Sequence, residues 1–195
     1  ADVPHAAGAP AAALDACRNC ALWRDATQPV PGTGRADARL MLVGEAPGDQ
    51  EDLEGRPFVG PAGQVLDEVL QDAGLAREAV YLTNAVKHFA WEPRGKRRLH
   101  RKPMPAEVDA CHGWLRAELG ATALRALCGW RGSVRDARHE MLHTPEGIRV
   151  IASWHPAAIL RAPPDAAQRM RAELVGDLVR AAREVAALDA DAGLD

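Results

Sequence analysis

Six basic side chains crowd one histidine in the segment WEPRGKRRLHRKP, residues 91–103. Arg94, Lys96, Arg97, Arg98, Arg101 and Lys102 surround His100, with Glu92 the sole acid, in a 195-residue chain of net charge -3. Positive charge so localised on an acidic body suits a placed contact with a few phosphates, although a merely solvated basic loop has the same composition. Nearby cations disfavour imidazolium, so His100 is expected in its neutral, nucleophilic form. Two further stretches carry reactive side chains. GEAPGDQEDLEGRPFVGPAG sets Glu45, Asp49, Glu51 and Asp52 among glycines, and SWHPAAILR places His155 before a proline. Glycine lets backbone approach a ligand closely, but the spacing matches neither a P-loop nor a dinucleotide fingerprint. Cys17 and Cys20 form a Cys-x-x-Cys pair, with Cys111 and Cys128 as partners of weaker signal, since a cysteine in apolar helical sequence is often only buried. Four such thiols suit zinc on spacing alone.

Elements must position these groups. ARLMLVG (38–44) and VYLTNAV (80–86) read as strands. Between them Val65, Leu66, Val69 and Leu70 recur at helical spacing, with Pro61 near the start and Gly74 at the end, which makes a βαβ unit. Residues 105–118 read as a helix and EMLHTPEGIRVIAS as two strands joined by a turn. A last helix is expected over about Asp165 to Ala187, with Met170, Leu174, Leu178 and Val185 as its apolar stripe. The expected fold is α/β, a three-layer αβα sandwich around a largely parallel sheet, whose functional loops lie at the carboxyl ends of the strands. One domain is expected over residues 1–195, with flexible tails at about 1–12 and 188–195. With no run of 18 apolar residues and no signal-peptide pattern, a cytoplasmic protein without membrane attachment is expected, its cysteines reduced.

The acidic glycine loop, Asn84 after a strand, SWHPAAILR and the early Cys-x-x-Cys together resemble the iron-sulfur, family 4 uracil-DNA glycosylases. The GKRRLH insertion further resembles their UdgX branch, in which a histidine of the basic loop becomes covalently attached to uracil-containing DNA. The resemblance covers Cys17 to about Arg161 and implies roles residue by residue. Glu45, His100 and His155 would be catalytic: Glu45 facing the sugar, His155 donating to the uracil carbonyl and His100 capturing the sugar. Ala46, Gly48 and Asp49 would line the uracil site, with Phe58 stacking on the base and Asn84 reading its edge. Arg94, Lys96, Arg97, Arg98, Arg101, Lys102 and Arg161 would hold phosphates. Cys17, Cys20, Cys111 and Cys128 would bind a [4Fe-4S] cluster, with zinc as the alternative. The implied partner is uracil-containing DNA, single strands included, bound by a monomer.

Leu99 stands where the branch carries Ile, and Ala46 where some members carry Gln. Between Cys111 and Gly120 the chain is shorter than the family pattern by a helix end and a strand, so either Cys128 substitutes as the fourth ligand or a segment is missing. Two other functions fit the same residues: a conventional glycosylase that turns over, its basic loop only binding DNA, and a non-catalytic protein that binds damaged DNA.

Overall fold

In a computed structural model, residues 11–35, 37–119, 134–143 and 149–192 are described. The expected βαβ unit is present. Strand β1 (Leu40–Gly44) pairs in parallel with β2 (Val80–Asn84), Leu40 opposite Val80 and Gly44 opposite Asn84. The connection carries helices α2 (Asp49–Glu54) and α3 (Pro61–Asp72). α1 (Ala11–Asp15) precedes it. Proline at the first turn of α3 gives up an N–H that has no helical partner there. At the other end Gly74 takes φ 72°, and the Leu75 N–H closes on the Leu70 carbonyl at 2.9 Å, a left-handed stop that glycine adopts without strain.

The sheet is wrapped by helices because its residues are apolar on both faces; all of β2 is buried. Leu66, Val69 and Leu70 of α3 pack on Val80 and Leu82, joined by Ile159 of α6 (Pro156–Arg161) and Leu174 and Leu178 of α7 (Pro164–Ala192). A second cluster, Leu22, Val86, Ala90 and Cys111, brings α4 (Pro105–Leu119) against the chain that leaves β2. The fold is therefore α/β, as expected. Tyr81 lies in the core with its ring against Gly32.

Three elements differ from expectation. The basic segment is a hairpin, not a loop: β3 (Trp91–Arg94) pairs antiparallel with β4 (Arg97–His100) around Gly95 and Lys96, with Gly95 at φ 61°. Period-two alternation is hidden because both faces carry charge. Helix α7 runs through Ala192, past the expected end, with Asp189 reaching Arg39 at 2.6 Å, so residues 188–192 are not a tail and residues 11 and 12 begin α1. The expected late strands shrink to β5 (Leu142–His143) and β6 (Arg149–Val150), antiparallel, after the short helix α5 (Val134–Ala137). No helix among the described residues is long and apolar enough to cross a membrane.

Candidate active site

The loop that leaves β1 is built around one carboxylate. Glu51, third residue of α2, accepts the backbone N–H groups of Gly48 at 3.1 Å, Val59 at 2.9 Å and Gly60 at 2.8 Å, so one buried side chain closes residues 48–60 into a ring. Phe58 lies within that ring at φ 55°, the only described non-glycine residue with positive φ. Its carbonyl accepts Arg77 Nη2 at 2.9 Å, and a Cβ at Gly63 would stand 2.0 Å from the same oxygen. Backbone strain of this kind persists only where surrounding contacts hold it, and it gathers at functional sites. Gly44 completes the arrangement. A Cβ there would come within 2.3 Å of Asn84 Oδ1 and 2.8 Å of Phe58 Cζ. The missing side chain leaves a flat floor at the carboxyl ends of β1 and β2, edged by the Asn84 amide and the Phe58 ring.

His155 stands beside this floor, and His100 is near enough for its charge to act on His155. The His155 ring lies 6.0 Å from that of Phe58, tilted by 31°. His155 is the N-cap of α6, and its Nδ1 accepts the Ala157 N–H at 3.1 Å, so in the neutral ring the proton sits on Nε2, which is left to donate. Burial first, then Arg161 and His100, hold its pKa below the ordinary histidine value, against the pull of Glu45. His100, at the end of β4, stands 6.0 Å from the Phe89 ring. Its pKa is also lowered, first by loss of water around the imidazole, then by Arg161 and Arg101, with Glu45 and Glu51 opposing. The direction agrees with the expected neutral state, although His100 is exposed at the surface; partial loss of water around the ring leads, and Arg161 and Arg101 follow. Glu45 and Arg161 act electrostatically on both rings, which sets these four side chains in one neighbourhood.

A sequence profile described as Uracil DNA glycosylase superfamily matches residues 31–179, most of the chain. The chain belongs to the uracil-DNA glycosylase superfamily. It is 37% identical over 165 residues to a Type-4 uracil-DNA glycosylase of Archaeoglobus fulgidus, covering 75% of this chain and 79% of that one. It is 38% identical to a Type-4 uracil-DNA glycosylase of Thermotoga maritima, with 74% and 78% covered. A Type-5 uracil-DNA glycosylase of Thermus thermophilus is 32% identical, with 73% and 83% covered.

Within this superfamily frame the basic side chains divide. Arg98 turns inward, donating to Asp52 at 2.5 Å and Asp49 at 2.6 Å while its guanidinium lies 5.3 Å over Phe89 and 5.8 Å over Trp91. Asp52 is no solvated acid: it is fully buried and also accepts the Thr27 N–H at 2.9 Å. Arg101 forks onto buried Glu107 at 2.6 and 2.9 Å. Arg94, Lys96, Arg97 and Lys102 are exposed, and among the described residues no ion pair engages them. Ala46 is partly buried against the second cluster, and Gly48 caps α2. Glu51, Gly44 and Arg98 are the site residues that sequence reasoning did not resolve. A glutamate three residues after a helix-starting glycine was the available signal for the first.

Cys17 and Cys111 are buried, Cys20 is half-buried, and all three are free thiols. They are neighbours. The Cys111 thiol is pushed up to about 11, first by burial and in part by Cys20 and Cys17, while the Lys87 backbone N–H donates to it. Trp114 Nε1 donates to Cys17 Sγ at 3.1 Å. Among the described residues no three Cys, His, Asp or Glu side chains close enough to hold a metal by themselves. The donor set nevertheless fits a thiolate-bound metal group: soft sulfur in an apolar enclosure, with N–H groups already aimed at two sulfurs, where a cation would reverse the mutual repulsion of the thiolates. Cys128 lies outside the described residues.

Proposed function

We propose that this protein excises uracil from DNA and is then captured on the abasic sugar through His100. The observation that carries the reading is the floor that Gly44 leaves between Asn84 and Phe58, with the His155 ring 6.0 Å from Phe58 and its Nδ1 already occupied by the Ala157 N–H; Glu45 acts electrostatically on both His155 and His100.

Uracil departs as an anion and leaves a sugar cation, so catalysis needs a donor on one side and negative charge on the other. His155 Nε2–H would donate to the carbonyl oxygen where charge gathers. The neutral ring has the Nε2 proton this role needs, since its Nδ1 is held by the Ala157 N–H. Glu45 would face the sugar cation. Phe58 would stack on the flipped base and Asn84 would read its amide edge, rejecting cytosine by leaving donors and acceptors unmatched. His100 would then attack C1′ with its unprotonated nitrogen: the bond from C1′ to uracil N1 breaks, a C1′–N bond to imidazole forms, and the ring proton, acidified by alkylation, passes to the departing uracil or Glu45. The product would be a covalent adduct and a single turnover.

The reading extends to a monomer that accepts single-stranded DNA; the DNA contact is supported by four exposed cations in or just after the hairpin. It also assigns a [4Fe-4S] cluster, or zinc in its place, to Cys17, Cys20, Cys111 and Cys128. Such a group would supply a cross-link between the chain before β1 and α4. Visible absorption of anaerobically purified protein with bound iron supports the cluster; a colourless protein with bound zinc supports the alternative.

The names of its relatives favour conventional turnover as the second reading. Incubation with a uracil-containing oligonucleotide, followed by denaturing electrophoresis, separates the outcomes. A heat- and SDS-stable shifted band is expected; an alkali-labile abasic product without a shift supports turnover; unchanged DNA removes the enzyme reading altogether.

A further inference from the structure

We propose that Glu107 is the positioning residue for His100, holding the imidazole where it outcompetes water for the sugar cation. The inference rests on the capture reading above and explains how an exposed hairpin end can deliver a nucleophile reliably. His100 is the last residue of β4, and besides the pairing with β3 and the Arg98 ion pairs to Asp49 and Asp52, two ties follow directly after it. The Arg101 N–H donates to the Ala90 carbonyl at 2.9 Å, joining the residue after His100 to a residue fully buried beside Cys111. The Arg101 guanidinium then donates through both terminal nitrogens to the Glu107 carboxylate.

Glu107 is 3% exposed and cannot touch DNA from that position. Its Oε2 also accepts the Met104 N–H at 2.8 Å, so one carboxylate fixes the turn into α4 and the side chain adjacent to His100. Cys111 lies one helical turn further on and is buried in the second cluster, so the tie ends in packed structure and not in solvent. A planar fork on a carboxylate holds direction as well as distance, whereas a single contact would let the strand end swing. Direction matters here because the sugar cation is captured by whichever nucleophile is nearest and aligned. A misplacement of about 1 Å costs on the order of 100-fold in a reaction that depends on approach geometry.

The ratio of covalent adduct to free abasic product tests this, measured at saturating uracil-containing oligonucleotide for wild type, E107Q and E107A. Wild type is expected to give adduct almost alone. E107A should lower the ratio by about tenfold to 100-fold, while uracil release, which depends on Glu45 and His155, stays within about threefold. E107Q keeps an acceptor for Met104 and should fall between. A release rate and adduct yield that decline together, ratio unchanged, would mean that Glu107 only supports folding and would overturn the role. Should E107A lose both reactions, the near-isosteric E107Q decides by the same ratio. A trapping wild type with an unaltered ratio in E107Q and E107A overturns Glu107 alone, whereas a wild type that leaves only free abasic product overturns the capture itself and this role with it.

Discussion

His155 and His100 reach the same pocket from unlike supports. His155 opens α6, whose Ile159 belongs to the principal core, and the residues before it are tied to α7: Ser153 Oγ donates to Asp177 at 2.5 Å, and Trp154 Nε1 to Glu173 at 2.5 Å. Buried Arg138 forks onto Asp177 from the side. His100 ends a hairpin with little apolar burial, steadied by Arg98 on Asp49 and Asp52 and by Arg101 on Glu107. Both rings have their pKa lowered by the same leading cause, loss of water. What differs is how each is held: one by packing with an ion pair inside it, the other by strand pairing, ion pairs and stacking with little apolar burial. A donor that must meet a developing charge gains from rigidity, whereas a nucleophile on a separate hairpin can be added to, or removed from, a scaffold that already breaks the bond. The division predicts which reaction each region controls.

The sharpest separation is His100→Ser. It should abolish the adduct entirely while uracil release persists, leaving an alkali-labile site and repeated turnover. A heat- and SDS-stable adduct from this variant would show that His100 is not the nucleophile. His155→Ala should do the reverse, lowering uracil release by about 100-fold to 1000-fold, the usual effect of losing one donor to a developing anion, with adduct falling in step because no cation forms. If release were unchanged in single-turnover assays, the donor would have to be sought elsewhere.

Next in size is the support beneath His155. Asp177→Ala leaves Arg138 buried with only Glu173 as carboxylate partner, and loss of one member of such a pair costs about 3 kcal/mol, read as a lower urea midpoint. An unchanged midpoint would mean that packing of α7 alone holds the segment.

The four exposed cations of the hairpin region set a smaller effect. With three or four phosphate contacts and ~0.7 per contact, log affinity for single strands should fall against log salt with a slope of roughly -2 to -3. Neutralising Arg94 and Lys102 should flatten it without altering base choice. Neutralising Arg98 should instead destabilise the hairpin, since its charge is spent on Asp49 and Asp52.

The mildest test is titration by NMR. Both imidazoles are held below the ordinary value while Glu45 pulls them up, so Glu45→Gln should move both transitions to still lower pH. Because the folded rings resist protonation, the unfolded state binds more protons below the ordinary histidine pKa. Their contribution therefore disfavours the folded state progressively as pH falls from that value toward the folded one, and is nil above it. A transition that rises in Glu45→Gln would place the carboxylate away from the rings.

Local chemistry was legible without coordinates. Gly74 stops α3 because of its backbone freedom, Pro61 starts it, the apolar period of Leu66, Val69 and Leu70 names its buried face, and the strand-end place of Asn84 follows from a short apolar run; His155, expected at a strand end, instead caps α6. Those are properties of neighbours in the chain. The internal ion pairs of Arg98 and Arg101 were not legible, because Arg98 and Asp52 are 46 residues apart and charge alone does not name a partner. The hairpin was missed for a related reason: its strands are steadied by cation stacking on Phe89 and Trp91 and by ion pairs to α2, which leave no apolar alternation to read.

By itself the sequence determined which side chains were on offer and which strand ends would present them, since residue type, helical period and turn chemistry act over a few positions. Tertiary structure alone decided that Gly44 would leave a floor between Asn84 and Phe58, that one buried Glu51 would ring the loop, and that water lost from around the His100 ring would lower its pKa ahead of Arg161 and Arg101. Each of these depends on what lies across space, and desolvation and ion pairing are set by the neighbours that folding supplies.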